Sequence, residues 1–276
     1  MIDYIKSQKA RQDLKEFLKG KVDKEQLEKL QYHNLESVNK LYKYSSINEY
    51  TGSNISNNYL IAKRPESFND IFDSTMHSNT YIKNKQELEE SINLSKKFGY
   101  EKAYEGFEDD YIRKFSADQD RHRMTYFRRD LYINCLTDTN SNILMWSHYA
   151  DNNSGICIEY DFSNADNDLL AFTYPVIYID EPIDVTELIK DTKDIPLAIL
   201  ISAICKYKDW KYENEWRSIF YLPFSGSNDR TKGIAELIAP NISTIYLGNS
   251  FVDHYNRISK RDSSQLSHYR SFFDIV

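Results

Sequence analysis

The sequence predicts an α+β fold: a mixed, mainly antiparallel sheet core with a helical insertion and N-terminal helices. Three observations carry this. Short aliphatic and aromatic runs bounded by polar turns recur without the regular strand and helix cadence of a doubly wound sheet. A long charged, helix-favouring stretch interrupts them at about 85–129. Residues 1–38 place Ile5, Leu14, Phe17, Leu18, Val22, Leu27 and Leu30 at helical spacing among Lys, Glu and Gln.

In order, 1–38 reads as two amphipathic helices broken near Gly20, an appendage suited to docking a partner protein, and 39–276 as the α+β domain. Leu41–Tyr44 is a first short strand. Ser46–Asn58 is a helix or polar turn leading to a second strand at Tyr59–Ala62, and 65–73 is a turn-prone loop whose Asn and Asp bond local backbone. The insertion runs from an acidic portion (Glu105, Glu108, Asp109, Asp110) to a basic one (Arg121, His122, Arg123, Arg128, Arg129). Strands follow at Leu131–Leu136, Gly155–Phe162 and Phe172–Ile179, with a helix at Ile143–Tyr149. Gly155 can take a positive φ after the turn Asp151–Ser154. Residues 185–207 read as helical, and 212–222 and 242–248 as strands.

Composition narrows the class of protein. Hydrophobic residues at 41% supply a core, while 35 Lys and Arg against 42 Asp and Glu give a net charge of -7, a field that repels polyanions unless a local basic patch opposes it. Cys135, Cys157 and Cys205 are odd in number and far apart, which fits neither a disulfide framework nor a zinc knuckle and points to a reducing cytoplasm. The N-terminus lacks the apolar run of a signal peptide, and no stretch reaches the roughly 18 apolar residues of a membrane span. The 22 tyrosines are read chiefly as half-buried packing.

The most informative segment is Lys206–Arg217. On a strand, period two groups Glu213, Glu215 and Arg217 on one face, with Tyr212, Asn214 and Trp216 on the other. Two carboxylates at i and i+2 repel, so Arg217 or another cation must compensate, or one carboxyl has a raised pKa. A salt-bridged strand face and a ligand pocket flanked by Trp210, Tyr212 and Trp216 both fit at this stage. A second segment, Ile143–Ala150, brings His148 and Tyr149 near the mouth of the sheet, with His148 a general base, a substrate ligand or a structural group. Dinucleotide, phosphate-loop, zinc-helix and nucleophile-elbow motifs are missing, and the six histidines lack ligand spacing. No metal site is expected; a set of Asp70, Asp73, Glu213 and Glu215 would be the one to consider.

Leu41–Tyr44, Ser67–Asp73, Met145–Ala150 through Gly155–Tyr160, Tyr212–Arg217 and Ile245–Gly248 resemble, in order and wording, the bacterial family catalogued as domain of unknown function 2971. A first strand of form Leu-Tyr-basic and a late Glu-x-Glu strand are also similar to ADP-ribosyltransferases. That second resemblance implies NAD as substrate, Lys43 at the basic position that holds it, Glu215 on the nicotinamide ribose and Glu213 on the acceptor side. Tyr44, Tyr149, Trp216 and Arg217 would complete the cofactor surface, with His148 beside them. Lysine stands where Arg or His is usual, and no Ser-Thr-Ser segment is present. The implied function is an effector or phage-defence toxin modifying a protein or nucleic-acid acceptor. The alternatives are a metal-dependent nuclease or hydrolase, and a non-enzymatic ligand-binding regulatory module.

Overall fold

The computed structural model describes residues 39–274 apart from 71, 76, 98–108, 191–193, 222–232 and 261–262. The appendage expected over 1–38, Glu105 and Glu108 lie outside the described residues. The elements in chain order are β1 (Lys40–Ser45), α1 (Thr51–Ser56), β2 (Tyr59–Lys63), α2 (Tyr81–Lys97), α3 (Asp109–Arg129), β3 (Leu131–Thr137), α4 (Ile143–Tyr149), β4 (Ile156–Asp161) and α5 (Asn167–Ala171). There follow β5 (Thr173–Pro175), β6 (Ile177–Ile179), α6 (Ile195–Ile204), β7 (Cys205–Tyr207), β8 (Glu215–Tyr221), β9 (Ile234–Ile238), β10 (Asn241–Leu247), α7 (Phe251–Ile258) and α8 (Ser263–Phe273). This is the expected α+β class. Every pairing in the main sheet is antiparallel, and β6 with β7 forms a separate parallel pair.

The main sheet runs β10, β4, β1, β3, β2, β9, with β8 and then β5 joined to β3 as a branch. β8 takes one edge of β3 along its whole length, from Leu131 opposite Tyr221 to Thr137 opposite Glu215. A strand has two edges, so β1 and β2 share the other, β1 at Tyr42 opposite Thr137 and β2 at Lys63 opposite Ile133. The sheet therefore forks there, leaving the middle of β3 unpaired on that side.

Side-chain alternation divides the core. On one face Leu41, Ile156, Ile158, Tyr160, Leu136 and Trp216 pack with Phe251, Ile258, Tyr269 and Phe272 of the C-terminal helices. The other face carries two clusters. Leu131, Ile133 and Ile219 meet α6 and the Met124 and Phe127 side of α3, while Tyr44 and Cys157 lie under Met145 and Ala150 of α4 and its C-cap. The helix α6, IPLAILISAI, is apolar nearly all round because it is buried nearly all round.

Several sequence expectations change. The strand expected at 212–222 begins only at Glu215, because 208–213 winds as a 3-10 helix closed by Asn214 in the left-handed region. The helix expected over 185–207 shrinks to α6, and Cys205–Tyr207 is strand instead. Phe172–Ile179 splits at Val176 into β5 and β6, which belong to different sheets. Gly155 does not take positive φ: Asp151, Asn152 and Asn153 make that turn. Glycine is needed at 155 for a close approach, since a Cβ would stand 2.3 Å from the Ser45 carbonyl oxygen. The strand β9 and the helices α7 and α8 were not read from the sequence.

Candidate active site

Glu215 opens β8 and Arg217 follows on the same face; both are buried. The guanidinium of Arg217 is a fork of five donors, and Asp73 meets it bidentately, Nη1 to Oδ1 at 2.8 Å and Nη2 to Oδ2 at 2.6 Å. Its Nε donates to Glu215 Oε1 at 2.8 Å, Nη2 to Glu215 Oε2 at 3.1 Å, and Nη1 to the Ala203 carbonyl at the end of α6 at 2.6 Å. Lys206 on β7 donates to Glu213 Oε2 at 2.5 Å and Glu215 Oε2 at 2.9 Å, and stands 3.6 Å from Asp73. Its ammonium lies 4.9 Å from the ring centre of Trp210.

Five ionisable groups thus share one dry space, with Asp73, Glu213 and Glu215 against Lys206 and Arg217. Three potential negative charges face two positive ones. Burial alone would push the Glu215 carboxyl up, yet the charges of Arg217 and Lys206 hold it well below the usual carboxylate range. Lys206 is held above the usual range, the attraction of Glu215, Glu213 and Asp73 outweighing burial and the nearby Arg217. Glu213 moves the opposite way from Glu215. Burial, reinforced by the charge of Glu215, raises its pKa, and Lys206 only partly opposes this. The odd carboxylate of the network is therefore Glu213, the one inclined to keep a proton. Lys206 occupies the point on which the three carboxylates converge, so a metal ion bound there would have to displace it. Among the described residues no group of His, Cys, Asp or Glu is arranged to hold a metal ion; Asp70 instead accepts from the Phe72 backbone N–H.

Glu213 is also the member that communicates with the surface. The Tyr149 hydroxyl donates to its Oε1 at 2.5 Å and accepts from the exposed Asn69 amide at 3.4 Å. Burial and the neighbouring Glu213 both raise the Tyr149 pKa. The helix α4 that carries Tyr149 is capped by Asn142, whose Oδ1 accepts from the Leu144 and Met145 N–H groups while its amide donates to the Tyr212 carbonyl at 2.5 Å. One side chain thus ties the start of α4 to the 3-10 turn that presents Glu213. His148 is exposed at the rim, 6.4 Å from Tyr149 and 6.2 Å from Tyr212 between ring centres, and Trp210 lies 6.1 Å from Tyr212.

Of the residues singled out from sequence, the structure brings together Glu213, Glu215, Arg217, Tyr149 and His148. It does not bring Lys43 or Trp216 to them, while Tyr44 belongs to the cluster against which Tyr149 and Tyr212 pack. Trp216 is fully buried in the core on the opposite face. Tyr44 packs edge-on to Trp146 at 5.1 Å and donates to the Thr139 carbonyl. Lys43 donates to the Asn134 side chain and the Cys135 carbonyl, on the face away from Glu215. Lys206 and Asn69 were missed as partners, and Asp73, grouped with Glu213 and Glu215 only as a metal ligand, instead pairs with Arg217. The sequence reading allowed Arg217 or another cation to compensate the adjacent carboxylates, and Lys206 lies just upstream of them. In the basic portion of α3, Arg121 lies near Asp118, Arg123 near Asp120 and Arg129 near Asp130, while Arg121, His122, Thr125 and Arg129 line a surface groove.

Fold and site define an α+β protein on a forked antiparallel sheet, with a buried five-membered ionic network opening to the surface through one tyrosine. Residues 145–218 match the family model described as Protein of unknown function (DUF2971). This segment contains Tyr149, Lys206, Glu213, Glu215 and Arg217, so all of the network except Asp73 falls inside it. No curated protein and no solved structure matches the chain. Among the described residues no helix is long and apolar enough to cross a membrane.

Proposed function

We infer that the protein is an NAD-dependent ADP-ribosyltransferase-like enzyme in which Glu213, rather than Glu215, is the acting carboxylate. One observation carries this: the ionic network has one carboxylate more than it has cations, and that carboxylate accepts from Tyr149, which in turn meets the exposed Asn69. Such a site favours a ligand that brings a positive charge on a planar ring. The nicotinamide of NAD is such a ring, and the ribose becomes cationic as its bond to nicotinamide breaks.

In this reading the bound pyridinium favours ionised Glu213. The C1′–N bond breaks with its electron pair passing to the ring, which leaves as neutral nicotinamide. The carboxylate stabilises the ribosyl cation until water or an acceptor hydroxyl, amine or base nitrogen adds at C1′. The proton lost by that nucleophile returns to the Glu213–Tyr149 pair, whose raised pKa values suit it to receive one. Glu215 and Arg217 are positioning residues that fix the charge of the network. The acceptor is a protein or a nucleic acid, with the basic groove of α3 the surface that meets it. The test is release of nicotinamide from NAD by the wild type, Glu213→Gln and Tyr149→Phe, each checked for cooperative unfolding. A roughly hundredfold or greater loss in folded Glu213→Gln is expected. Undiminished release by that variant would remove the proposal.

A further inference from the structure

The fork in the sheet holds a second set of polar groups, on the face away from Glu213, that the proposed chemistry does not use. Between its pairings with β1 at Thr137 and β2 at Ile133, this edge of β3 exposes the Cys135 carbonyl to no strand. Lys43 fills the gap, donating to that carbonyl at 3.0 Å and to Asn134 Oδ1 at 2.7 Å. Both acceptors are neutral. No carboxylate lies within ion-pair distance of Lys43 among the described residues. Glu215 acts on it only from the other face, and its oxygens are already taken by Arg217 and Lys206. Burial pulls the Lys43 pKa down, and the charge of Lys63 acts in the same direction.

Asn134 is wholly buried, and its Nδ2 finds no acceptor. Its orientation is fixed, because turning the amide over would set Nδ2 against the ammonium. The two atoms of one amide are close, so Nδ2 stands roughly 5 Å from Lys43 Nζ at most. The adjacent hydroxyls leave this donor unmet. Thr173 gives its proton to the Leu169 carbonyl at 2.7 Å, so Ser218 must give its own to Thr173 at 2.9 Å. A buried donor without an acceptor and a cation without a counter-charge each cost stability, and here they adjoin.

We propose that Lys43 and Asn134 Nδ2 together bind a small monovalent anion of the size of chloride in the fork of the sheet. The ion accepts from the remaining N–H of Lys43 and from the orphan amide. It supplies the negative charge that the side chains around Lys43 do not. Its binding holds β1 and β2 at the angle that opens the fork.

Bromide is the probe, because it can be located by its own anomalous scattering. Crystals of the wild-type protein grown in bromide are expected to show an anomalous peak in contact with both Lys43 Nζ and Asn134 Nδ2. In solution, the wild-type unfolding midpoint should rise with bromide or chloride and saturate, at ionic strength held constant with gluconate. In Lys43→Met or Asn134→Ala, whichever folds, the rise should vanish. A water without anomalous signal at that position overturns the proposal, as does a wild-type midpoint indifferent to halide. The two wild-type measurements decide the matter if neither variant folds.

Discussion

Replacing Arg217 with Met tests whether the ionic network is a single cooperative unit. The wild-type guanidinium makes six hydrogen bonds, to Asp73, Glu215, Ser74 and the Ala203 carbonyl, and none of its surface reaches water. Met keeps most of the packing volume and removes the charge. Lys206 is left as the one cation of the network, facing three carboxylates. Breaking a buried ion pair from one side costs roughly 3–5 kcal/mol. At about 2–4 °C per kcal/mol, the unfolding midpoint should fall by roughly 6–20 °C. The loss should also depend on pH. In the wild type the Glu215 pKa is depressed on folding, so its contribution is present above the unfolded carboxylate pKa and disappears as pH falls through the folded one. Without Arg217 that contribution shrinks, so the two proteins should converge in acid. Urea unfolding of both between pH 3 and pH 8 is the assay (roughly the range spanned by carboxylate titration). A neutral-pH difference below about 1 kcal/mol, or one constant across that range, would refute the cooperative reading.

Glu213→Gln should behave oppositely. The Glu213 pKa is raised on folding, so its contribution is full below the unfolded pKa and lost as pH rises through the folded one; at neutral pH the amide, which cannot ionise, should leave the protein at least as stable as the wild type. A large destabilisation at neutral pH in urea melts would contradict that sign. Gly248→Ala should cost roughly 3 kcal/mol, because a Cβ there would stand 2.1 Å from the Asn153 carbonyl oxygen, which the adjacent chain cannot easily move; a neutral substitution in a thermal melt would show that this turn yields.

The parts legible in the sequence were those fixed by local pattern. Short aliphatic and aromatic runs located the strands around 41–44, 59–62 and 131–136, and period-two alternation put Glu215 and Arg217 on one face because the pleat leaves no choice. The 3-10 turn at 208–213 escaped because aromatic and charged residues such as Trp210, Tyr212 and Glu213 suit a strand equally well. The break falls at Asn214, which takes the left-handed conformation. The site was half legible. That adjacent carboxylates need a compensating cation or a raised pKa followed from electrostatics, but Lys206 sits on β7 through a parallel pairing with β6 that nothing local specifies. Asp73 reaches Arg217 across 144 positions of chain, a contact set by tertiary packing alone. The resemblance to ADP-ribosyltransferases grouped Lys43 with Glu215 because their sequence order matched, whereas strand alternation puts their side chains on opposite faces of the sheet.

Glu213 is the surplus carboxylate of the network, and its pKa is raised while that of Glu215 is lowered. The most direct measurement is NMR of protein labelled with 13C at the glutamate side-chain carboxyl, assigned by loss of one signal in Glu213→Gln and followed through a pH titration. The Glu213 signal is expected to retain the shift of a carboxylic acid above the pH at which free glutamate ionises, while the Glu215 signal stays that of a carboxylate well below it. A Glu213 signal that ionises with the exposed glutamates, or a Glu215 signal that holds its proton in its place, would contradict this assignment.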